Sequence, residues 1–184
     1  MTAATVRPAR SSRSFIAGTV ERLVALCALL PYALVALAVR LAMARVFFLS
    51  GQAKIEGPQF PIRWHMIDFT ITLPQQVNDS VLQVFETQYA NLPIPPVVAA
   101  NLFAYAEFVL PICLVLGFAT RFAALALVLI TVLLRIYIEP QMWWSTHVYW
   151  ILLLVVLVSL GPGAVSIDAL IRTLHARDQA PAFR

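Results

Sequence analysis

The sequence predicts an all-α membrane protein: a polytopic bundle of four transmembrane helices, with an N-terminal amphipathic helix and a long extracytoplasmic loop. Two observations predict this fold class. Hydrophobic residues make up 61% of the 184 residues and charged residues 12%, whereas about a quarter of a soluble globular domain is charged. Four apolar segments also approach the ~20 residues that cross a bilayer, and proline, glycine or polar residues separate them.

The N-terminal region carries two different signals. Residues 1–13 contain three arginines and predict a disordered cytoplasmic tail. From Phe15 to Leu30, apolar residues recur at helical spacing, with charged residues on the opposite face. This pattern predicts either an amphipathic helix at the membrane interface or the first part of a long helix kinked at Pro31.

The membrane domain is predicted to extend over residues 14–171, and a cytoplasmic tail over 172–184 follows it. The spans and the outer loop are placed where apolar runs alternate with turn residues. The four spans are about 33–51, 97–116, 122–138 and 143–160, and the outer loop is 55–95.

The outer loop contains one predicted helix. Asn78 or Asp79 is suited to cap its N-terminus, and Val81, Phe85 and Tyr89 follow at four-residue spacing. A helix with this apolar face is expected to cover the mouth of the bundle.

Basic residues predict the orientation of the chain in the membrane. Only Lys54 and Arg63 flank the outer side, whereas eight arginines lie with the N-terminus, the turn between the second and third spans, and the tail. Basic loop residues favour the cytoplasmic side, so both termini are predicted to be cytoplasmic. The eight arginines are Arg7, Arg10, Arg13, Arg22, Arg121, Arg172, Arg177 and Arg184.

Glu107 lies about ten residues inside the second span, which places it ~15 Å deep in a ~30 Å hydrocarbon layer. An ionisable group at that depth usually faces the bundle interior and has a partner charge or a water-filled cavity. Depth favours Arg45 of the first span as this partner, whereas Arg40 is also within reach of a long side chain. The sequence leaves the choice between Arg40 and Arg45 open.

A second polar group is expected at the outer mouth of the bundle, because Lys54, Arg135, Glu139 and His147 all fall near the outer ends of spans. Together they predict a polar pocket beneath the loop, lined by Trp143 and Trp150, with Glu107 as its floor. Structural alternatives remain open. A carboxylate paired with arginine is a common bundle contact, and Arg135 can extend its charge towards the interface.

Other functional classes lack sequence support. The dispersed cations do not indicate nucleic-acid binding. Cys27 and Cys113 stand alone in apolar segments and are interpreted as packing residues. No metal-ligand spacing, catalytic triad or phosphate-binding loop occurs, and no haem, flavin or iron–sulfur motif provides an intrinsic redox cofactor.

An ordered set of motifs resembles the DoxX family of small four-helix membrane proteins. In the first span, Arg40, Phe47, Ser50, Gly51 and Lys54 form the pattern R-x6-F-x2-S-G-x2-K. Glu107 and the segments 117–121 and 161–168 follow in the order typical of the family. Two departures stand out: Ala44, where many relatives have glycine, and the additional charge Arg45.

The resemblance implies a multi-pass protein of the bacterial cytoplasmic (inner) membrane. It also implies an accessory subunit of a redox or stress-response system, which binds a quinone or docks a soluble oxidoreductase or another product of its operon. The alternative is a non-catalytic membrane scaffold, or a carrier of a small solute in metal stress that acts as a homo-oligomer. On either interpretation the chain by itself is not expected to be a complete enzyme.

Overall fold

Four apolar helices dominate the fold. The computed structural model describes residues 18, 20–24, 30–64, 67–89, 92–137 and 146–178. The long helices extend close to the predicted spans, and 138–145 lies outside the described residues. The bounds are Tyr32–Gln52 for α1, Pro96–Leu116 for α3, Thr120–Tyr137 for α4 and Val148–Leu160 for α5.

Length and composition divide these helices into two classes. α1 and α3 have 21 residues each and are apolar enough to cross a membrane. α5 and the apolar part of α4, Thr120–Leu134, are shorter. α1 packs against α3 and α5, and α4 packs against the same two helices.

The ends of α3 follow from its sequence. Pro96 occupies the first turn, where its missing N–H removes no intrahelical hydrogen bond. Gly117 ends the helix in the left-handed conformation with φ +68°, and the Phe118 N–H donates back to the Cys113 carbonyl at 3.0 Å. A glycine at this position avoids the steric cost that a Cβ would impose.

The buried face of α1 matches the face defined by its motif residues. Arg40, Ala44, Phe47 and Gly51 are all buried, and Lys54 is partly buried just beyond the helix. Ala99, Ala100 and Ala104 near the start of α3 are also fully buried, but they belong to a second core cluster with Ile55, Val77 and Phe85 from the segment between α1 and α3.

The segment between α1 and α3 contains the predicted helix and also four strands that the sequence did not predict. The helix, α2 (Asp79–Thr87), is capped by Asn78, whose side chain accepts from the Ser80 N–H at 2.9 Å. Phe85 of α2 is buried and packs with Phe103 of α3. The strands are β1 (Ile55–Glu56), β2 (Gln59–Trp64), β3 (Ile67–Thr72) and β4 (Gln76–Val77).

The strands form two antiparallel pairs, β1 with β4 and β2 with β3. Gln52 fixes the second pair to the end of α1, because its side chain accepts from the Thr72 N–H at 2.6 Å and donates to the Thr72 carbonyl at 3.1 Å. This contact joins residues twenty positions apart, and local sequence patterns do not encode it.

The last helix, α6, spans Ile167–Asp178. The boundary predicted between membrane domain and tail, at residue 171, falls inside this helix. The Asp168 N–H donates to the Gly117 carbonyl at 2.9 Å, which joins the start of α6 to the turn after α3.

The first 31 residues form a separate unit. Within it, residues 18 and 20–24 are helical, as the periodicity of this segment predicts, and residues 20–24 are exposed. The predicted tail at 1–13 and Cys27 lie outside the described residues. Cys113, in contrast, is partly buried against the core formed by α1, α3, α4 and α5.

Candidate functional site

Glu107 forms an ion pair with Lys54. The carboxylate lies in the middle of α3 and is only 3% exposed, whereas the lysine follows the last turn of α1 and is 21% exposed. The lysine Nζ also donates to Ser50 Oγ at 2.8 Å. A buried charge needs such a partner because its isolated transfer out of water is strongly unfavourable.

The close contact of α1 with α3 brings these two charges together. A Cβ added to Gly51 would lie 2.8 Å from both the carbonyl carbon and the carbonyl oxygen of Glu107. Only glycine lets the two backbones approach this closely. Lys54 follows within one turn, and side chains of a helix lean towards its N-terminus, so that its amine reaches back to the carboxylate.

A cavity of about 230 Å³ opens beside the ion pair. The wall of this cavity is formed by residues of α1 to α5. Residues of three turns, after α1, after α2 and before α5, also contribute, so the cavity lies where all these elements meet. The lining residues are Val46, Phe47, Ser50, Lys54, Phe85, Tyr89, Phe103, Glu107, Thr131, Leu134, His147 and Trp150, and we call this cavity the Lys54 pocket.

Aromatic rings form much of the wall of the Lys54 pocket. Trp150 packs edge-on against Phe47, with ring centroids 5.9 Å apart, and lies 4.6 Å from the His147 ring. On the opposite side, Phe85 contacts Tyr89 at 4.7 Å and Phe103 at 5.7 Å. The pocket therefore combines an aromatic wall with one cation, one anion and an imidazole.

Several of the predicted site residues thus line one cavity. Lys54, Glu107, His147 and Trp150 meet at the Lys54 pocket. Glu139 and Trp143 lie outside the described residues, as does the side chain of Arg135, whose backbone belongs to α4.

The expectation that an arginine pairs with Glu107 is wrong. Arg40 is buried, but its guanidinium donates to four backbone carbonyls near the C-terminal end of α3. Two of them belong to α3 and two to the turn after α5, so the role of Arg40 is structural. These carbonyls belong to Leu114 (2.7 Å), Val115 (2.7 Å), Pro162 (3.2 Å) and Val165 (2.6 Å).

The reason for this error is the register of α1 against α3. The residue opposite Glu107 is Gly51, which at ~1.5 Å per residue is ~16 Å further along the axis than Arg40. The depth estimate failed because it assumed that the ends of α1 and α3 lie at the same level. The two helices are instead displaced along their axes, so that the end of α1 lies opposite the middle of α3.

Arg45 is also not a buried site residue. Its side chain is exposed on the lateral face of α1, where it borders a shallow groove with Leu41, Phe48 and Ile112. This position agrees with its angular separation from Arg40 around the helix, which is about 140° for five residues.

Sequence reasoning missed the direct partnership of Lys54 with Glu107, and it also missed the contributions of Ser50 and Thr131. The available signal was the run Ser50-Gly51-x2-Lys54. A glycine on the buried face marks a close contact between two helices. A lysine within one turn of that glycine can reach a side chain on the helix it contacts.

Among the described residues, no group of three or more His, Cys, Asp or Glu side chains is arranged to hold a metal ion.

Residues 35–139, more than half of the chain, match the sequence profile of the DoxX family. The chain belongs to the DoxX family. This DoxX protein is therefore a membrane protein in contact with the lipid bilayer. No curated protein and no solved structure matches it.

The DoxX match covers both members of the ion pair and most of the Lys54 pocket, whereas His147 and Trp150 follow it. The segment that carries the carbonyl acceptors of Arg40 at Pro162 and Val165 also lies beyond it.

Proposed function

We propose that this DoxX protein crosses the bacterial inner membrane four times, through α1, α3, α4 and α5, with both termini in the cytoplasm. The packing of α4 and α5 against the two longer helices supports this arrangement, because a helix of intermediate length can span where neighbours and local thinning of the bilayer accommodate it. The excess of arginines near the termini supports the orientation.

We further propose that the Lys54 pocket binds the ring of a quinone and that the protein acts as an accessory subunit of a redox system. The volume of about 230 Å³ is below the ~300–1,000 Å³ of pockets that enclose drug-sized ligands. It therefore suits a single-ring headgroup, with the polyprenyl tail left in the lipid.

The chemistry of the pocket wall supports this ligand class. An ammonium group donates hydrogen bonds to a carbonyl oxygen, and Lys54 supplies such a group on the wall of the pocket. Trp150 and Phe85 are aromatic residues of the wall, and aromatic side chains pack favourably against another flat ring. A bound quinone would supply two-electron chemistry. In this proposal a soluble oxidoreductase docks on the protein and delivers the electrons, whereas this chain binds the quinone and supplies the charged groups beside it.

Extraction of bound lipids from the purified protein tests the quinone proposal. We expect a stoichiometric quinone in the wild type and a loss of at least tenfold in Glu107→Gln, because the lysine then loses its counter-charge. Leu134→Trp should produce the same loss by filling the pocket while the ion pair stays intact, so a folding defect in the first variant does not decide the result. Arg45→Gln, at an exposed position, serves as the control with unchanged occupancy.

The ion pair also supports a second candidate, a non-catalytic membrane scaffold, because Lys54 and Glu107 satisfy each other without a ligand. Wild-type protein that carries no quinone and co-purifies a partner protein would contradict the first proposal and support the scaffold. A homo-oligomer that carries a small solute is the third outcome, distinguished by uptake into proteoliposomes.

A further inference from the structure

A basic groove lies at the other end of the helices from the Lys54 pocket. It has a volume of about 350 Å³ and lies between the start of α4 and the start of α6. We propose that this groove binds the phosphate headgroup of an anionic phospholipid through Arg121 and Arg172. The lining residues are Ala119, Arg121, Phe122, Pro162, Asp168, Ile171 and Arg172, and we call it the Arg121 groove.

Arg121 reaches this groove across the end of α5. Its Nη2 donates to the Ser159 carbonyl at 3.3 Å, and its Nε would lie 3.2 Å from a Cβ at Gly161. The glycine therefore leaves room for the guanidinium to pass over the backbone. Arginine has five N–H donors. Within the described part of the chain, the Arg121 side chain uses one of them, in the bond to Ser159, and the others are available to a ligand.

Arg172 enters the groove from α6. Its Nε donates to the Asp168 carbonyl one turn earlier, at 3.1 Å, and its side chain is exposed. Its terminal nitrogens remain available for a ligand. Two exposed guanidinium groups line one groove, and guanidinium groups are the donors that bind phosphate oxygens most effectively.

The carboxylate of Asp168 also lines the groove, and its charge is already engaged. Its two oxygens accept from the Ala119 N–H at 2.8 Å and the Thr120 N–H at 2.9 Å, at the N-terminus of α4. The partial positive charge of a helix N-terminus offsets a carboxylate in this position. The groove thus retains a positive balance from its two arginines.

Apolar side chains beside the arginines indicate a lipid rather than a free ion. Phe122 is 78% exposed at the first turn of α4, and on α6 Leu170, Ile171 and Leu174 are between 45% and 57% exposed. A helix with basic and apolar residues of this kind lies in the interface between headgroups and acyl chains. Basic pockets beside transmembrane helices at this level bind anionic headgroups.

This inference uses the membrane arrangement proposed above and does not depend on a quinone in the Lys54 pocket. Arg121 lies in the first turn of α4 and Arg172 in the middle of α6, and neither residue lines the Lys54 pocket, so the two sites are independently testable. Failure of quinone extraction therefore leaves the lipid proposal intact, and the reverse also holds.

Native mass spectrometry of the detergent-purified full chain tests the proposal, with phosphatidylglycerol and phosphatidylcholine as matched probes. We expect the wild type to retain phosphatidylglycerol preferentially. Each of Arg121→Gln and Arg172→Gln should weaken this retention by roughly fivefold, and the double variant by roughly 25-fold, in keeping with the contribution of one basic residue near an anionic surface. Arg63→Gln, in the outer loop, removes the same charge elsewhere and should leave the preference unchanged.

A double variant Arg121→Lys/Arg172→Lys separates charge from fold, because it keeps both cations and should retain part of the preference. Equal binding of the two lipids by the wild type would overturn the proposal. So would an unchanged preference in the double glutamine variant with a native thermal unfolding profile. Displacement of bound phosphatidylglycerol by millimolar inorganic phosphate would also overturn it, since the groove would then recognise a free anion.

Discussion

Lys54 pairs with Glu107 because Gly51, less than one turn before the lysine, lies directly against the backbone of Glu107. The contact that brings α1 onto α3 thus also positions the ion pair. The carboxylate is almost completely buried, whereas the lysine keeps access to the Lys54 pocket. A packing feature and a charged site are therefore parts of one structural unit.

The first prediction concerns removal of one partner of this pair. Lys54→Met should lower the free energy of unfolding by about 2–4 kcal/mol, because the buried carboxylate then lacks a counter-charge. Adding Glu107→Gln to this variant should recover most of the loss. Thermal unfolding in detergent measures both effects, and Arg45→Met on the exposed face of α1 should change the stability by less than about 0.5 kcal/mol. A double variant less stable than Lys54→Met would contradict the explanation.

The second prediction concerns Gly51. Replacement by alanine usually favours a helix by about 1 kcal/mol, yet Gly51→Ala should destabilise the protein by about 1–3 kcal/mol. The added Cβ would meet backbone atoms of Glu107 and Phe108 at 2.8–3.0 Å, and α1 would have to move away. Gly18→Ala is the matched control, since its Cβ meets nothing within 4 Å. A gain in the melting temperature of Gly51→Ala would refute this account of the helix contact.

The third prediction tests the structural role of Arg40. Arg40→Lys keeps the charge but has three donors without the planar arrangement that serves four carbonyls. We expect a loss of about 2–3 kcal/mol, from carbonyl groups left without a partner. Hydrogen exchange should increase in the segments at 114–120 and 162–168 and stay unchanged at 79–87. Arg45→Lys provides the comparison, and an equal effect of both lysine variants would argue against the assignment.

The fourth prediction concerns the cap of α4. Asp168→Ala removes the acceptor of the Ala119 and Thr120 N–H groups and should destabilise the protein by about 1–2 kcal/mol. Asp168→Asn should have a smaller effect, because an amide oxygen still accepts one bond. Asp79→Ala lies in the first turn of α2 but leaves its cap at Asn78 in place, so its effect should remain below about 1 kcal/mol. The order of the three melting temperatures decides the prediction.

The helices were predictable because they depend on local properties. The apolar runs around α1 and α3 exceed what a soluble chain contains, and Pro96 and Gly117 mark the ends of α3. The cap at Asn78 and the buried face of α2 at Phe85 follow in the same way from spacing along the chain. The strand pairs escaped prediction although β2 and β3 form a hairpin closed between Trp64 and Ile67. The connecting residues carry no Asn-Gly or Asp-Gly turn signal, and Pro61 disfavours a strand.

The candidate site was predictable in part, because four of its residues were selected while Arg40 and Arg45 lie elsewhere. Sequence reasoning selected Lys54, Glu107, His147 and Trp150, which line one pocket, yet assigned an arginine to Glu107. Helix phase is a property of one segment, and it identified the buried face of α1 correctly. The relative displacement of two helices depends on how closely their surfaces approach, and a single glycine contact sets that distance here.

The sequence by itself determined that this chain is a helical membrane protein of the DoxX family and which faces of α1 and α2 are buried. The membrane character and the buried faces follow from hydropathy and periodicity, which act over a few turns of helix, whereas the family follows from the ordered motif residues. Only the tertiary structure decided that Glu107 binds Lys54, that Arg40 holds the carbonyl groups at the end of α3, and that Arg121 and Arg172 share a groove. Such pairings require the register between distant segments, which is fixed when side chains and backbones pack together.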